Sequence, residues 1–160
     1  MSNIIKVGIA DLKVVKSPDI LTTIGLGSCV GICFWDFRNK VAGLAHIMLP
    51  TSKVTKPSAN LMKYADTGID IMLKDMIDLG GKKVNIISKI AGGAHMFSSL
   101  GERPIKVGDT NVAAVKEKLK ELHIEINAED IGADYGRTIE LHSETGKLIV
   151  KTATKGVLEL

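Results

Sequence analysis

Cysteine occurs only twice in 160 residues, at Cys29 and Cys33, proline four times, and aromatic side chains make up 4% of the chain. No apolar run approaches the roughly 18 residues that a membrane span needs, so no membrane insertion is indicated. Nothing near the N-terminus shows the positive, apolar, small order of a secretory leader. On an extended strand, cysteines four apart stand about 13 Å from each other, beyond disulfide reach. A reduced, cytoplasmic protein is therefore expected. The four histidines are scattered without ligand spacing, which argues against a metal centre. Net charge is +3, from 21 basic and 18 acidic residues interspersed. That is too mild to point to nucleic acid, and a solvated surface explains it. Repeats and low-complexity linkers are absent as well. What is abundant is aliphatic: apolar residues reach 45%, enough to fill one core, and residues 1–160 read as a single domain.

Hydrophobic periodicity orders the chain. Short β-forming runs at 4–10 and 12–15 lead through Ser17-Pro18 to a further run at 21–24 and a glycine turn. Two β-branched runs, 30–36 and 41–49, flank a polar break at 37–40 and read as a hairpin. Across residues 59–79, Leu61, Tyr64, Ala65, Ile69, Met72, Leu73, Met76 and Leu79 keep an i, i+3, i+4 stripe, the clearest helix in the chain. Ser58 is expected to cap it and Gly80-Gly81 to end it. Its three methionines read as core filling, and Gly68 predicts close packing against a strand. Residues 83–91 read as a strand. A second helix is expected from Asp109 or Thr110 to about Leu122, with Val112, Val115, Leu119 and Leu122 inward. Its charged face (Lys116, Glu117, Lys118, Lys120, Glu121) should pair at i, i+4. Strands follow at 124–128, 137–142 and 147–152, with Thr145-Gly146 as a turn, and the tail 156–160 either frays or docks. The polar segment 51–57 reads as a connector or as a flap beside the candidate site. Strands and helices do not alternate regularly. This predicts an α+β fold: a layered sandwich of mixed or antiparallel sheet with two main helices on one side.

The stretch Thr22-Thr23-Ile24-Gly25-Leu26-Gly27-Ser28-Cys29 sets a thiol at the mouth of a glycine turn, with His46 seventeen residues on. Alternation along the strand puts Cys29 on the face of Gly31. A two-residue hairpin loop would set Cys29 directly opposite His46, and a four-residue loop would make them diagonal neighbours on one face. A three-residue loop would separate them. A thiol near its ordinary pKa is mostly protonated at neutral pH, so a nucleophilic cysteine needs a base within reach and a third group to orient that base. Backbone N–H groups of the turn, at Gly27 and Ser28, are candidate oxyanion donors. The competing reading is packing: cysteine is among the most buried residue types, and Thr23 alone is an ordinary β-former. The second glycine turn, Gly92-Gly93, lacks both the lysine and the spacing of a P-loop.

Taken in order, Thr23-Ile-Gly-Leu-Gly-Ser-Cys29, Ala45-His46-Ile-Met-Leu-Pro50, Lys63-Tyr-Ala-Asp66, Ala91-Gly-Gly-Ala-His-Met-Phe97, Gly108-Asp-Thr-Asn111 and Ala128-Glu-Asp-Ile-Gly132 resemble the successive motifs of the CheD family. These are chemoreceptor glutamine deamidases of bacterial and archaeal chemotaxis. The resemblance spans nearly the whole chain. One departure is visible, since the family's second glycine after the acidic pair is Ala133 here. The resemblance implies that Cys29 is the nucleophile, His46 the general base and Thr23 the residue that orients it. It also implies that Gly92 and Gly93 border the site and lend amides to the substrate. His95 stands at a position that varies in the family and is given no catalytic role. His123 and His142 read as surface residues.

By the same resemblance, the fold is a sandwich shared with cysteine-dependent deamidase toxins. The substrate is the cytoplasmic helical bundle of methyl-accepting chemotaxis receptors, a second partner is the phosphatase CheC, and no metal or organic cofactor is needed. The expected reaction converts receptor glutamine to glutamate. Its rival is a non-catalytic regulatory module binding receptors and CheC, which would not require Cys29, His46 and Thr23 together. A weaker third reading is a cysteine hydrolase of a small amide, which calls for a deep closed pocket.

Overall fold

Asp36 decides how the polar break turns. In the computed structural model, which describes residues 2–53, 59–95 and 107–160, its carboxylate accepts from the N–H groups of Arg38 (2.9 Å) and Asn39 (2.8 Å). It also accepts from Asn39 Nδ2 (2.9 Å) and the Lys82 N–H (2.8 Å). Burial disfavours the charge, but these donors outweigh it and hold the carboxyl below the ordinary carboxylate range. Strands β4 (Val30–Asp36) and β5 (Val41–Ile47) therefore close through a four-residue turn, with Asp36 opposite Val41 and Val30 opposite Ile47.

The other strands are β1 (Ile4–Lys6), β2 (Asp11–Lys16), β3 (Ile20–Leu26), β6 (Ile86–Gly92), β7 (Ile126–Ile131), β8 (Arg137–His142), β9 (Leu148–Thr152) and β10 (Gly156–Glu159). Among the described residues they form two sheets, β1-β3-β8-β9-β10 and β2-β5-β4-β6-β7. Each is mixed, with one parallel pair: β1 with β3 and β6 with β7. Helices α1 (Ala65–Asp78) and α2 (Val107–Glu121) cover the outer face of the second sheet.

The second sheet is thus buried on both faces, which is why β4 and β5 read as unbroken apolar runs. Cys33, Ala42 and Leu44 face the first sheet among Leu21, Leu26, Ile139 and Val150. Ile32, Phe34, Ala45 and Ile47 face the helices among Ile69, Met72, Met76, Val115 and Leu119. The α+β sandwich with its helices on one side follows the expectation from pattern.

The differences are local and have identifiable causes. The first helix begins at Ala65, not at 59, because Tyr64 is extended and bridges to Leu49. The Met48 and Leu49 N–H groups donate to Lys63 O (2.9 and 3.2 Å), and the Ala65 N–H donates to Leu49 O (2.9 Å). Residues Leu61–Lys63 make a single 3-10 turn capped by Asn60; Ser58, the expected cap, lies outside the described residues, as does most of the segment 51–57. Leu61 is exposed, away from the stripe. Gly68 does lie against a strand, since a Cβ there would sit 3.4 Å from Ile47 Cγ2. Lys83–Asn85 form a 3-10 turn and delay β6 to Ile86. On α2 the charged face pairs mainly across elements, Lys116 with Glu129 (3.1 Å) and Lys118 with Asp70 (3.0 Å), in place of the expected i, i+4 pairs. The tail docks as β10 against β9. No helix among the described residues is long and apolar enough to cross a membrane.

Gly31 lets the two sheets meet near the start of β4. A Cβ there would stand 2.7 Å from Ile139 Cδ1 and 3.0 Å from Leu26 Cδ1, both fully buried. Gly31→Ala is expected to lower unfolding free energy by about 1–3 kcal/mol through overpacking, read from urea denaturation; an unchanged midpoint would contradict this packing.

Candidate active site

Strand β3 carries Thr23 on the first sheet, β5 carries His46 on the second, and the chain crosses between the sheets through residues 27–29. A register shift makes the crossing possible: Thr23 pairs with Ile139 but Leu26 with Arg137, so one extra residue is accommodated where Gly25 takes φ +76°. Thr23 Oγ1 donates to the Val7 carbonyl at 2.7 Å and lies 2.7 Å from His46 Nδ1. A carbonyl can only accept, and a hydroxyl has one proton. That proton is therefore committed to Val7, and Nδ1 must carry the imidazole hydrogen and donate it to Thr23. The lone pair is left on Nε2, which is buried and, among the described residues, without a hydrogen-bond partner. His46 is fully buried, and burial pushes its pKa below the usual histidine value, so the ring is neutral at neutral pH.

The register selects among the loop alternatives. Gly31 stands opposite His46, and Cys29 just precedes β4, packed against the core between the two sheets. Cys29 is half-buried, whereas Cys33 is buried in the core with its thiol pushed up to about 12 by desolvation. Burial raises the Cys29 thiol too, partly offset by its own backbone N–H. With the thiol shifted up and the imidazole down, the resting pair is uncharged. A base must act in the step itself.

The second glycine turn supports the first. The Gly93 N–H donates to Cys29 O and the Ala94 N–H to Gly27 O, each at 2.9 Å. Gly92 takes φ +108°, and a Cβ there would lie 2.3 Å from Cys29 O, so only glycine admits this approach. The expectation that Gly92 and Gly93 lend amides to a substrate is thus corrected for Gly93: its N–H is already taken by the Cys29 carbonyl. Among the described residues, no partner occupies the N–H groups of Gly27 and Ser28. Beyond the turn, the Gly132 N–H donates to Gly92 O (2.9 Å) and the His95 N–H to Ala133 O (2.7 Å). Ala133 holds φ +58°, the left-handed conformation that a glycine would favour.

Two groups receive no role from the sequence, although His95 is weighed there and Asn111 closes one of the quoted motifs. His95 Nε2 lies 2.8 Å from Asp109 Oδ1 at the start of α2. Asn111 Nδ2 donates to Ser28 O (3.0 Å) and to Met48 O (2.9 Å). The signal for Asn111 was present: it lies at i−4 from Val115 and i−8 from Leu119, a polar residue in the inward stripe of α2.

The Thr23 bond can be tested by shape-preserving substitution. Thr23→Val leaves the Val7 carbonyl and the His46 Nδ1–H buried without partners and is expected to lower unfolding free energy by about 1–3 kcal/mol. Thr23→Ser keeps the hydroxyl and should recover most of that loss in the same denaturant titration; equal losses in both would show that the hydroxyl is not the stabilising group.

The comparisons with known proteins run in one direction. The CheD family model, described as CheD chemotactic sensory transduction, matches residues 48–152. That span begins after Thr23, Cys29 and His46, but alignments with relatives cover them. A protein of Caldanaerobacter subterraneus subsp. tengcongensis named probable chemoreceptor glutamine deamidase CheD is 55% identical over 157 residues, 98% of this chain and 97% of its own. A Halalkalibacterium halodurans protein named chemoreceptor glutamine deamidase CheD is 47% identical over 162 residues, all of both chains. A solved Neisseria meningitidis protein of the DUF152 family superposes with TM-score 0.52 at 10% identity, over 81% of this chain and 64% of its own, a likeness of fold alone. The ordered motifs, the full-length relatives and the family match agree: the chain belongs to the CheD family.

Proposed function

We propose that the protein is a chemoreceptor glutamine deamidase with Cys29 as nucleophile, His46 as general base and Thr23 as the group that orients the imidazole. One observation carries the reading: a buried neutral histidine whose Nδ1 is committed to Thr23 and whose Nε2 has no partner among the described residues, on the strand paired with the one that Cys29 leads into. A histidine serving only to pack the core would be expected to satisfy both ring nitrogens. The substrate class is that for which the relatives are named.

In the proposed reaction, His46 Nε2 takes the thiol proton as Cys29 Sγ attacks the side-chain carboxamide carbon of a receptor glutamine. The N–H groups of Gly27 and Ser28 stabilise the tetrahedral oxyanion. The C–N bond breaks, and His46 returns the proton to the departing ammonia, leaving a thioester on Cys29. Water, deprotonated by the same Nε2, then releases glutamate and restores the thiol. The chain's own residues supply every proton transfer. The product adds one negative charge to a receptor helix, enough to shift helix packing. The reading assigns the protein to the cytoplasm, with the receptor's cytoplasmic helices as substrate and CheC as a second partner.

Because the base must be unprotonated and burial depresses its pKa, kcat/KM should hold as pH falls through neutrality. It should decline only below the usual histidine value of about 6.5. The decisive experiment is the intact mass of purified receptor cytoplasmic fragments incubated with wild type and with Cys29→Ala. A gain of about 1 Da per converted glutamine with wild type, absent with Cys29→Ala, is the expected result. Binding by both proteins without any mass change would replace the deamidase by a regulatory binding module.

A further inference from the structure

The Asn111 carboxamide spans the site's two halves. Its Nδ2 reaches Ser28 O, next to Cys29, and Met48 O, two residues beyond His46. Both acceptors are carbonyls, so they fix which end of the amide faces them. The side chain is fully buried, yet among the described residues its Oδ1 has no partner. An unpaired buried oxygen is costly, and that cost is set against the two hydrogen bonds from Nδ2, which join the loop before Cys29 to the chain after His46. What asparagine supplies here, and an aliphatic residue would not, is that link.

The connections divide the labour. Gly93 and Ala94 fasten the loop 27–29 to the end of β6 and the residues just after it; Asn111 fastens the same loop to the chain just past β5, the strand of His46. Its mount is rigid. A Cβ on Gly108 would lie 2.5 Å from both Gly93 O and Ala94 O, and Asp109 pairs with His95. The first turn of α2 is thus pressed against the turn that carries the loop.

We infer that Asn111 is a positioning residue that sets the separation between Cys29 Sγ and His46 Nε2. The inference rests on the deamidase reading above. It makes the start of α2 part of the catalytic geometry.

The test compares wild type with Asn111→Ala, Asn111→Leu and Val115→Ala, the last a buried α2 residue one turn further on that packs in the core between the helices and the second sheet. Two readouts are taken: ammonia release from receptor cytoplasmic fragments, and the pH dependence of Cys29 alkylation by iodoacetamide, followed by intact mass. Both Asn111 variants should lose about 100-fold in kcat, with KM changed less than about threefold. Their alkylation should lose the histidine-assisted plateau near neutrality and rise about tenfold per pH unit toward the raised thiol pKa. Val115→Ala should melt lower but keep kcat and the alkylation profile. The inference is overturned if the Asn111 variants retain kcat and profile, or if Val115→Ala loses as much at equal loss of melting temperature. It is equally overturned if the Asn111 variants do not fold, which would assign the residue to the core. Should wild type release no ammonia, the deamidase reading fails, while the alkylation profiles still decide whether Asn111 holds the pair.

Discussion

The hydrogen bond from Thr23 to the Val7 carbonyl is the constraint on which the chemistry of this site depends, because it uses the only proton the hydroxyl has. Everything beyond it follows by exclusion. Thr23 can then only accept from His46, Nδ1 must be the protonated ring nitrogen, and Nε2 keeps its lone pair, buried and with no partner among the described residues. Burial adds the second condition by keeping the ring neutral. A histidine in this state is ready to accept a proton and has no competing partner.

The fold supplies that constraint by stacking. Thr23 and His46 belong to different sheets, and the sheets approach closely because Gly31 has no side chain where Ile139 and Leu26 press inward. Cys29 lies in the passage between the sheets, held from below by a turn whose Gly92 lets backbone approach backbone. The helices lie on the far face of the second sheet, so the site is bounded by sheet seam on one side and by the first turn of α2 on the other. The register that sets Gly31 opposite His46 is fixed at the other end of the hairpin, by the four hydrogen bonds to Asp36.

Much of this was legible in the sequence because it is local. The hairpin, the strand 137–142, the glycine stop of the first helix and the aliphatic core follow from periodicity and turn chemistry. The hairpin register stayed open between two-, three- and four-residue loops, since the Lys82 N–H that helps fix Asp36 comes from 46 residues away. The first helix was read six residues too early because the Leu49–Tyr64 bridge, a contact between distant segments, overrides a helical stripe. Gly92 and Gly93 were recognised as bordering the site, but for the wrong service at Gly93, whose amide direction only the fold reveals. Asn111 was visible as a polar residue on an apolar stripe, yet its two acceptors lie 83 and 63 residues away.

The most direct measurement is the tautomer of His46 at neutral pH, read from long-range proton–nitrogen correlations of histidine-labelled protein. A neutral ring with its hydrogen on Nδ1 and a lone pair on Nε2 is the predicted result. A hydrogen on Nε2, or a doubly protonated ring, would contradict the account, because the base would then have nothing with which to take the proton of Cys29.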